Sequence, residues 1–411
     1  MIAGLLLGLL LGGAAPAADE PFAVFAAKGV VCGADHGVID DVALLVVDGR
    51  IAAVGPRDEV TLPPDCRIVD GGAAWLLPGF VDLHSHVAGD FGINSSIYQS
   101  NPGLRVWASV VPANSNLARG LAAGVTTILF IPGSATNFGG QGVLLKTFGV
   151  DFADMLVRQP GSLKLAQADN PKRWGWGMGR LSMNWNIRRT IQKGVAYARA
   201  WEAFEAGAGP EPDVVLAWEI FRALRKGEAQ ISAHTQEHQV VQMSLKQVVV
   251  EAGLPLFIDH GTMSAFYGAA LAEALGVPAI LGPRSISFTN KGRAFDHDGK
   301  IVGIAAAYQA AGHSRIGFNT DAPVVPQEEL ALQAAMGVRY GFRDDGFATI
   351  LGLTIVPART AGIDARVGSL EVGKDADLVL VAGHPSDPRN PVLQVFGQGR
   401  LVYDAAEGRT F

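Results

Sequence analysis

The stretch W-L-L-P-G-F-V-D-L-H-S-H-V, residues 75–87, decides the fold of this chain. An apolar run stops at Pro78-Gly79, resumes at Phe80, and places His84 and His86 two positions apart. In an extended strand, side chains two positions apart point to the same face. Two imidazoles on one face can bind a single metal ion, and imidazole suits zinc, iron and nickel. The stretch therefore predicts a strand that ends in a metal site.

The composition predicts a well-packed α/β protein. The chain has 411 residues, of which 49% are hydrophobic and 18% charged, with 51 glycines. This length accommodates one large domain and a smaller one. The net charge of −6 gives no basic surface for nucleic acid. Cys32 and Cys66 cannot supply a multi-thiolate metal site, and they are either one disulfide or two free thiols.

The first 18 residues, M-I-A-G-L-L-L-G-L-L-L-G-G-A-A-P-A-A, form an apolar run that ends in small residues. This pattern predicts a cleaved secretory signal, although the usual positive charges before the run are missing. The run is short for a bilayer span. We therefore expect a periplasmic or secreted protein, with a cytoplasmic location if the run is not a signal. No stable membrane span is expected after processing.

The middle of the chain alternates strand and helix patterns, as a parallel α/β barrel does. The predicted barrel strands are Gly124–Phe130, Val143–Phe148, Leu163–Ala166, Ile231–Ala233, Leu256–Asp259, Ala279–Leu281 and Arg315–Asn319. Short strands at the N-terminus, Phe22–Lys28, Leu44–Val47 and Ile51–Val54, have counterparts near the C-terminus at Gln394–Phe396 and Leu401–Tyr403. A D-G hairpin turn joins the second and third of the N-terminal strands.

Three further polar residues follow apolar strands. His234 comes after Q-I-S-A, His260 after L-F-I-D, and Asp321 after I-G-F-N-T. A single histidine at a strand end is usually a hydrogen-bonded structural residue. Side chains at the C-terminal ends of barrel strands, however, converge on one active site. With His84 and His86, these residues therefore predict a metal site.

The motif P-G-F-V-D-L-H-S-H resembles the opening strand of the amidohydrolase superfamily of metal-dependent hydrolases. The motif G-S-L-E-V-G-K-D-A-D-L (368–378) also resembles that superfamily. The resemblance implies a distorted (β/α)8 barrel over residues 80–365 and a small β-sandwich built from residues 19–79 and 366–411. It also implies the ligand order H-x-H, His, His, Asp, which this chain contains.

The resemblance extends to a lysine that bridges two metals. Lys164, in S-L-K-L-A, is similar to the strand-four lysine that becomes carboxylated in hydantoinases and dihydroorotases. Within the superfamily, the chain resembles the imidazolonepropionase-like and hydantoinase–dihydroorotase-like branches. The surroundings of Lys164 also resemble a branch of predicted amidohydrolases with K-I-A-x-G-E-N-P-K-R, in which Glu stands where this chain has Asp169. Asp169 is therefore the alternative bridge. Lys146, in V-L-L-K-T, is expected to line the mouth of the barrel.

The implied reaction is hydrolysis of a non-peptide, cyclic or dipeptide-like amide C–N bond by a metal-bridging hydroxide. Asp321 would serve as general base and then acid, and His260 would steady the oxyanion. Two zinc ions are expected, with iron, manganese or nickel as alternatives. The substrate is a small molecule, and a homo-oligomer is compatible with the sequence.

Two alternatives remain open at this stage. H-T-Q-E (234–237) resembles the mononuclear deaminase branch, in which Glu237 would shuttle protons and no lysine would bridge. A catalytically silent scaffold on the same fold is the other. The helical insertion 170–226 begins with tryptophans and arginines. We expect it either to act as a lid, in which Arg173 and Arg180 bind a substrate carboxylate, or to pack as scaffold.

Overall fold

The structure is a computed structural model that describes residues 20–34, 37–90, 92–112, 114–167, 171, 179–283, 286–287 and 301–407. The expected signal at residues 1–18 lies outside these residues. Within the part of the chain that is described, no helix is both long enough and apolar enough to cross a bilayer.

The larger unit is an eight-stranded, nearly closed barrel sheet. Its strands are β6 (Phe80–Ser85), β7 (Val125–Phe130), β8 (Phe138–Lys146), β9 (Leu156–Ala166), β10 (Ile231–Thr235), β11 (Leu256–His260), β12 (Ala279–Leu281) and β15 (Ile316–Phe318), and they neighbour one another in this order. A parallel bridge between Ser85 and Ala322 joins the two ends of the sheet. The barrel therefore closes beside the predicted metal ligands.

The expectation of a fully parallel barrel is corrected at β8, which runs antiparallel to both β7 and β9. Lys146, the last residue of β8, pairs with Thr127 near the start of β7. Lys146 therefore lies at the end of the barrel opposite the strand termini that carry the histidines. The prediction that it lines the mouth assumed a parallel strand, and it is wrong for this reason.

Helices follow most of the barrel strands. They are α1 (Ser115–Ala122), α2 (Phe152–Met155), α3 (Arg180–Glu205), α4 (Glu219–Lys226), α5 (His238–Ser244), α6 (Ala269–Ala274), α7 (Ile304–Ala310), α8 (Leu330–Arg339), α9 (Ala348–Leu353) and α10 (Ile355–Thr360). A π-helical turn, Leu245–Val250, extends α5. A two-stranded ribbon, β13 (Ile286–Ser287) with β14 (Val302–Gly303), precedes α7.

Helix α4 illustrates how the sequence sets local structure in the insertion. Ile220, Phe221 and Leu224 form its buried face, and Gly227 ends the helix with φ of 74°. Such a left-handed residue is the usual place for glycine after a helix. Phe221 packs against Gly194 of α3, where even a methyl group would lie 2.2 Å from the ring. The two insertion helices therefore meet at a glycine that permits their close approach.

Both ends of the chain contribute to a second eight-stranded sheet. Its strands are β1 (Phe22–Val30), β2 (Val38–Val47), β3 (Arg50–Pro56), β4 (Arg67–Asp70), β5 (Trp75–Pro78), β16 (Leu378–Val381), β17 (Val392–Gly397) and β18 (Arg400–Asp404). Strands β5 and β16 pair antiparallel and join the two termini. The strands form one hydrogen-bonded sheet instead of two separate ones. The stacking of Phe22 on Phe396, with ring centroids 5.3 Å apart, shows that the sheet curls around its own core.

A buried ionic cluster lies where the barrel meets this sheet. The Lys146 Nζ atom lies 3.0 Å from an Asp375 carboxylate oxygen and also binds Asp377. Arg366 binds Asp375 at 2.8 Å, and Arg50 approaches it from the exposed side at 3.4 Å. Both aspartates belong to the G-S-L-E-V-G-K-D-A-D motif. That motif therefore supplies the anions that neutralise a buried lysine.

The two cysteines do not form a disulfide. Burial raises the pKa of the Cys32 thiol to about 12, whereas Cys66 is partly exposed. Of the two sequence alternatives, the structure therefore has two free thiols.

Candidate metal centre

The predicted ligands lie together at the C-terminal end of the barrel strands. His84 lies in β6 and His86 follows it, while His234 and His260 end β10 and β11. Asp321 comes three residues after β15. Because the ends of four strands converge here, residues far apart in sequence become neighbours.

The first three ligand atoms already have the spacing of a metal shell. The Nε2 atoms of His84 and His86 are 3.1 Å apart. The Asp321 Oδ1 atom lies 3.1 Å from the first of these nitrogens and 3.3 Å from the second. Ligands about 2.0–2.1 Å from a tetrahedral zinc are roughly 3.3 Å from one another. The triad therefore fits one divalent ion.

The other two histidines extend the centre. The His260 ring centroid lies 4.3 Å from that of His84 and 4.4 Å from that of His234. The Nε2 atoms of His234 and His260 are buried and have no hydrogen-bond partner among the residues that the structure describes. Buried polar atoms are normally paired. Two unpaired ring nitrogens beside the triad fit a metal ion as their missing partner.

Each of the four imidazoles uses its Nδ1 atom for a partner in the protein and directs Nε2 to the centre. The Nδ1 partners are Asp259 for His84 (2.6 Å), the Ile131 carbonyl for His86 (2.7 Å), Ser134 for His234 (2.8 Å) and the Gly282 carbonyl for His260 (2.9 Å). A carbonyl only accepts, so Nδ1 carries the proton in His86 and His260. Their neutral rings therefore offer the Nε2 lone pair, as a metal requires.

Left-handed backbone conformations direct two of the ligands into the centre. His260 has φ of 72° and Asp321 has φ of 52°. In a regular strand, neighbouring side chains point to opposite faces. The turn of the backbone at His260 lets both Asp259 and His260 contact His84. Such costly conformations in residues other than glycine are concentrated at functional sites.

The pKa values of three of the four imidazoles favour the neutral form beside an ionised carboxylate, whereas at His84 burial is outweighed by the neighbouring Asp259, which raises the pKa. Burial lowers the pKa of His260 to about 4, and it lowers the pKa values of His86 and His234. Burial alone would raise the pKa of Asp321, but the neighbouring His260 and His84 outweigh it and hold that pKa well below its usual value. At neutral pH, Asp321 is therefore an anion that can bind a cation or accept a proton.

Lys164 lies directly under the triad and is fully buried. Its Nζ atom is 3.4 Å from the His84 Nε2 atom and 3.1 Å from an Asp259 oxygen. A buried ammonium needs an anionic partner, and Asp259 provides it. The alternative bridge, Asp169, lies outside the described residues.

Asp259 is a site residue that the sequence reasoning missed. Its buried carboxylate binds His84, Lys164 and Ser232 at 2.6, 3.1 and 2.5 Å. The signal was present, because an aspartate in the apolar strand L-F-I-D-H needs buried partners. The sequence reasoning, however, considered only the residue that follows each strand, which here is His260.

The residues proposed to contact substrate are described only in part. Glu237 caps α5 and forms an ion pair with Arg180, the first residue of α3. The pair links the insertion to the loop that follows His234. Glu237 is therefore already bound to a cation, and Arg180 to an anion. Arg173 lies outside the described residues.

A barrel with this set of strand-end ligands defines the class of metal-binding amidohydrolases. The sequence profile of the amidohydrolase family matches residues 199–404, which include His234, His260 and Asp321. The chain therefore belongs to the amidohydrolase family and is a hydrolase.

Similar proteins extend the match to the first ligand strand. The chain is 26% identical over 409 residues to the amidohydrolase tasK of Hapsidospora irregularis, across 88% of this chain and 40% of that protein. It is 26% identical over 384 residues to the imidazolonepropionase of Maricaulis maris, across 85% of this chain and 90% of that protein. The crystal structure of an amidohydrolase from Thermotoga maritima superposes with a TM-score of 0.80 at 27% identity, covering 93% of this chain and all of that one.

Proposed function

We propose that this protein is a metal-dependent hydrolase that cleaves amide C–N bonds of small molecules. The observation that carries the proposal is the convergence of four imidazole Nε2 atoms and one carboxylate, two of those nitrogens being buried without a partner. The similarity to an imidazolonepropionase and to amidohydrolases supports C–N hydrolysis. A scaffold without catalysis would have no need of unpaired, buried ring nitrogens.

The side chains of the site would share the work of a hydrolysis. A divalent ion, when bound, would polarise the substrate carbonyl and acidify water. Asp321 takes the proton of the attacking water and returns it to the departing nitrogen, so that C–N cleavage yields an acid and an amine. His260 donates its Nδ1 proton to a carbonyl, so its Nε2 atom has a lone pair and no proton for an oxyanion. We therefore assign His260 to the ligand set.

We further propose two metal ions, bridged by carboxylated Lys164. The lysine is buried with its Nζ atom 3.4 Å from the His84 Nε2 atom, and the rings of His260 and His234 follow in contact with His84 and with each other. A carboxylated lysine would present an anion beside these imidazoles. The mononuclear deaminase alternative gives Lys164 no such role and depends on Glu237, which is bound to Arg180.

Lys164→Met should lose one of the two proposed metal ions per chain and most of the hydrolytic activity, because methionine fills the space without supplying a bridge. Metal content is measured by mass spectrometry of the dialysed protein. Since the substitution leaves the Asp259 carboxylate buried without its cation, Lys164→Met/Asp259→Asn serves as the charge-balanced partner. If both variants keep the metal content of the wild type, Lys164 is not the bridge. If they also keep full activity, the deaminase alternative is favoured.

We also propose that the substrate carries a carboxylate that binds Arg180. Its guanidinium lies at the start of α3, next to the loop that follows the strand end of His234, and it already binds one carboxylate, that of Glu237. Guanidinium groups bind carboxylates through paired hydrogen bonds. An incoming substrate carboxylate would compete with Glu237 for this cation.

The proposed preference for substrates with a carboxylate is measured with N-acyl amino acids and the matching carboxamides. The acid should have the higher kcat/KM, and Arg180→Ala should reduce that ratio by about tenfold, the value of one charge-assisted hydrogen bond. Arg188→Ala is the matched control, because Arg188 is on the same helix but binds Glu251. Equal rates on acid and amide in the wild type would leave the insertion as scaffold.

A further inference from the structure

We infer that Asp259 is a positioning residue that fixes the ring of His84 for metal binding. The Oδ2 atom of Asp259 accepts from the His84 Nδ1 atom at 2.6 Å, from Ser232 at 2.5 Å and from Lys164 at 3.1 Å. Its Oδ1 atom accepts from Asn319 at 3.3 Å. One fully buried carboxylate thus connects side chains from β6, β9, β10 and the end of β15. Because His84 belongs to the proposed metal centre, this role rests on the proposed function.

The ring nitrogen of His84 that Asp259 contacts shows whether Asp259 positions the ring or binds the metal itself. Asp259, His84 and His260 lie close enough to hold a metal ion themselves. However, Asp259 faces the Nδ1 atom of His84, whereas His86 and Asp321 face Nε2. A carboxylate accepts, so Nδ1 must carry the proton, and the lone pair is then on Nε2. The hydrogen bond therefore selects the tautomer that binds at the triad.

Asparagine is a sharp probe of this position because its size is nearly unchanged. If the amide nitrogen takes the place of Oδ2, it faces three donors, those of His84, Lys164 and Ser232. If the amide is flipped, its nitrogen faces the donor of Asn319. Neither orientation satisfies all partners, because an amide has one accepting atom where the carboxylate has two. Asp259→Asn therefore disrupts the network in either rotamer.

The experiment is nuclear magnetic resonance of metal-free protein labelled with ¹⁵N-histidine, with His84 assigned by its absence in His84→Gln. The wild type should give a protonated Nδ1 and a downfield proton resonance. Asp259→Asn should lose this signature, and zinc affinity from chelator competition should fall by roughly 10–100-fold, as for other partners of metal-binding histidines. The resonance measurement needs neither metal nor substrate. It therefore remains informative if the protein proves not to be a hydrolase.

Asp82→Asn is the matched control, because Asp82 is equally buried but binds Thr320, Gln327 and the backbone nitrogen of His84. It should keep the Nδ1 signature. If Asp259→Asn does not fold, the His84 Nδ1 resonance is measured in Lys164→Met/Asp259→Asn, which removes the buried cation together with the anion. Zinc affinity is not compared in this variant, because Lys164 belongs to the proposed bridge. A His84 Nδ1 resonance and a zinc affinity unchanged by the loss of Asp259 would overturn the inference.

Discussion

His234→Ala and His260→Ala should each lower kcat/KM for amide hydrolysis by at least about 10³-fold, with loss of bound metal. Each substitution removes a buried Nε2 atom that has no hydrogen-bond partner within the described part of the chain. The polarising effect of a metal is worth several kcal/mol, and each 1.4 kcal/mol of transition-state stabilisation is about tenfold in rate. The rates are measured on the substrate panel used for Arg180, with folding checked by circular dichroism.

His384→Ala is the control for this prediction. His384 contacts Asp344 at 3.0 Å and the ring of Trp75, outside the metal centre. Its loss should leave both metal content and hydrolysis close to those of the wild type. Hydrolysis that survives in His234→Ala and His260→Ala alike would show that the reaction does not depend on this cluster.

Lys146→Met should lower the free energy of unfolding by about 3–5 kcal/mol, the largest effect on stability that we expect outside the apolar core. The substitution leaves Asp375 and Asp377 buried beside each other without the cation between them. Removing one partner of a buried ion pair is strongly destabilising, because the other charge stays buried without compensation. The change is measured by urea denaturation followed through tryptophan fluorescence.

Arg50→Met is the comparison for Lys146→Met, because Arg50 contacts Asp375 from the exposed side. The Arg50 side chain is 56% exposed, so its loss should cost less than about 1 kcal/mol. Metal content should be unchanged in both variants, because the cluster lies at the opposite end of the barrel from the ligands. Equal, small effects of the two substitutions would mean that Lys146 is not the cation that balances the buried aspartates.

The metal ligands were predictable from the sequence because they follow apolar strands. A strand pattern specifies where a side chain leaves the barrel, and the ends of parallel strands meet at one place. His84, His86, His234, His260 and Asp321 were predicted from this reasoning and from the ligand order of the resembled superfamily, and the structure brings them together. The D-G turn was equally local, since Asp48 and Gly49 both have positive φ between β2 and β3.

The same sequence patterns do not predict the direction in which a strand runs through the barrel. An apolar strand reads the same whether it runs up or down the barrel, and β8 runs antiparallel. Lys146 was therefore assigned to the mouth, although it forms its ion pairs at the other end. The sequence predicted that strands from both termini combine, but not that they pair into one curled sheet, because alternation in a strand does not reveal which strand it pairs with.

Contacts between charged residues that are far apart in sequence could not be predicted from the sequence either. Arg180 and Glu237 were each given a substrate role, but the structure pairs them with each other. Asp259 was passed over because only the residue following each strand was considered. The left-handed backbone at His260 lets both Asp259 and His260 contact His84. Such features depend on three-dimensional neighbours that a single sequence does not name.

The central claim is that this cluster binds divalent metal, and zinc titration of the metal-free protein tests it most directly. Wild type and His234→Ala/His260→Ala are stripped with a chelator, dialysed and titrated with zinc, and bound metal is counted per chain. We expect tight, saturable binding by the wild type and its weakening or loss in the double variant. Identical zinc binding by the two folded proteins would contradict the account.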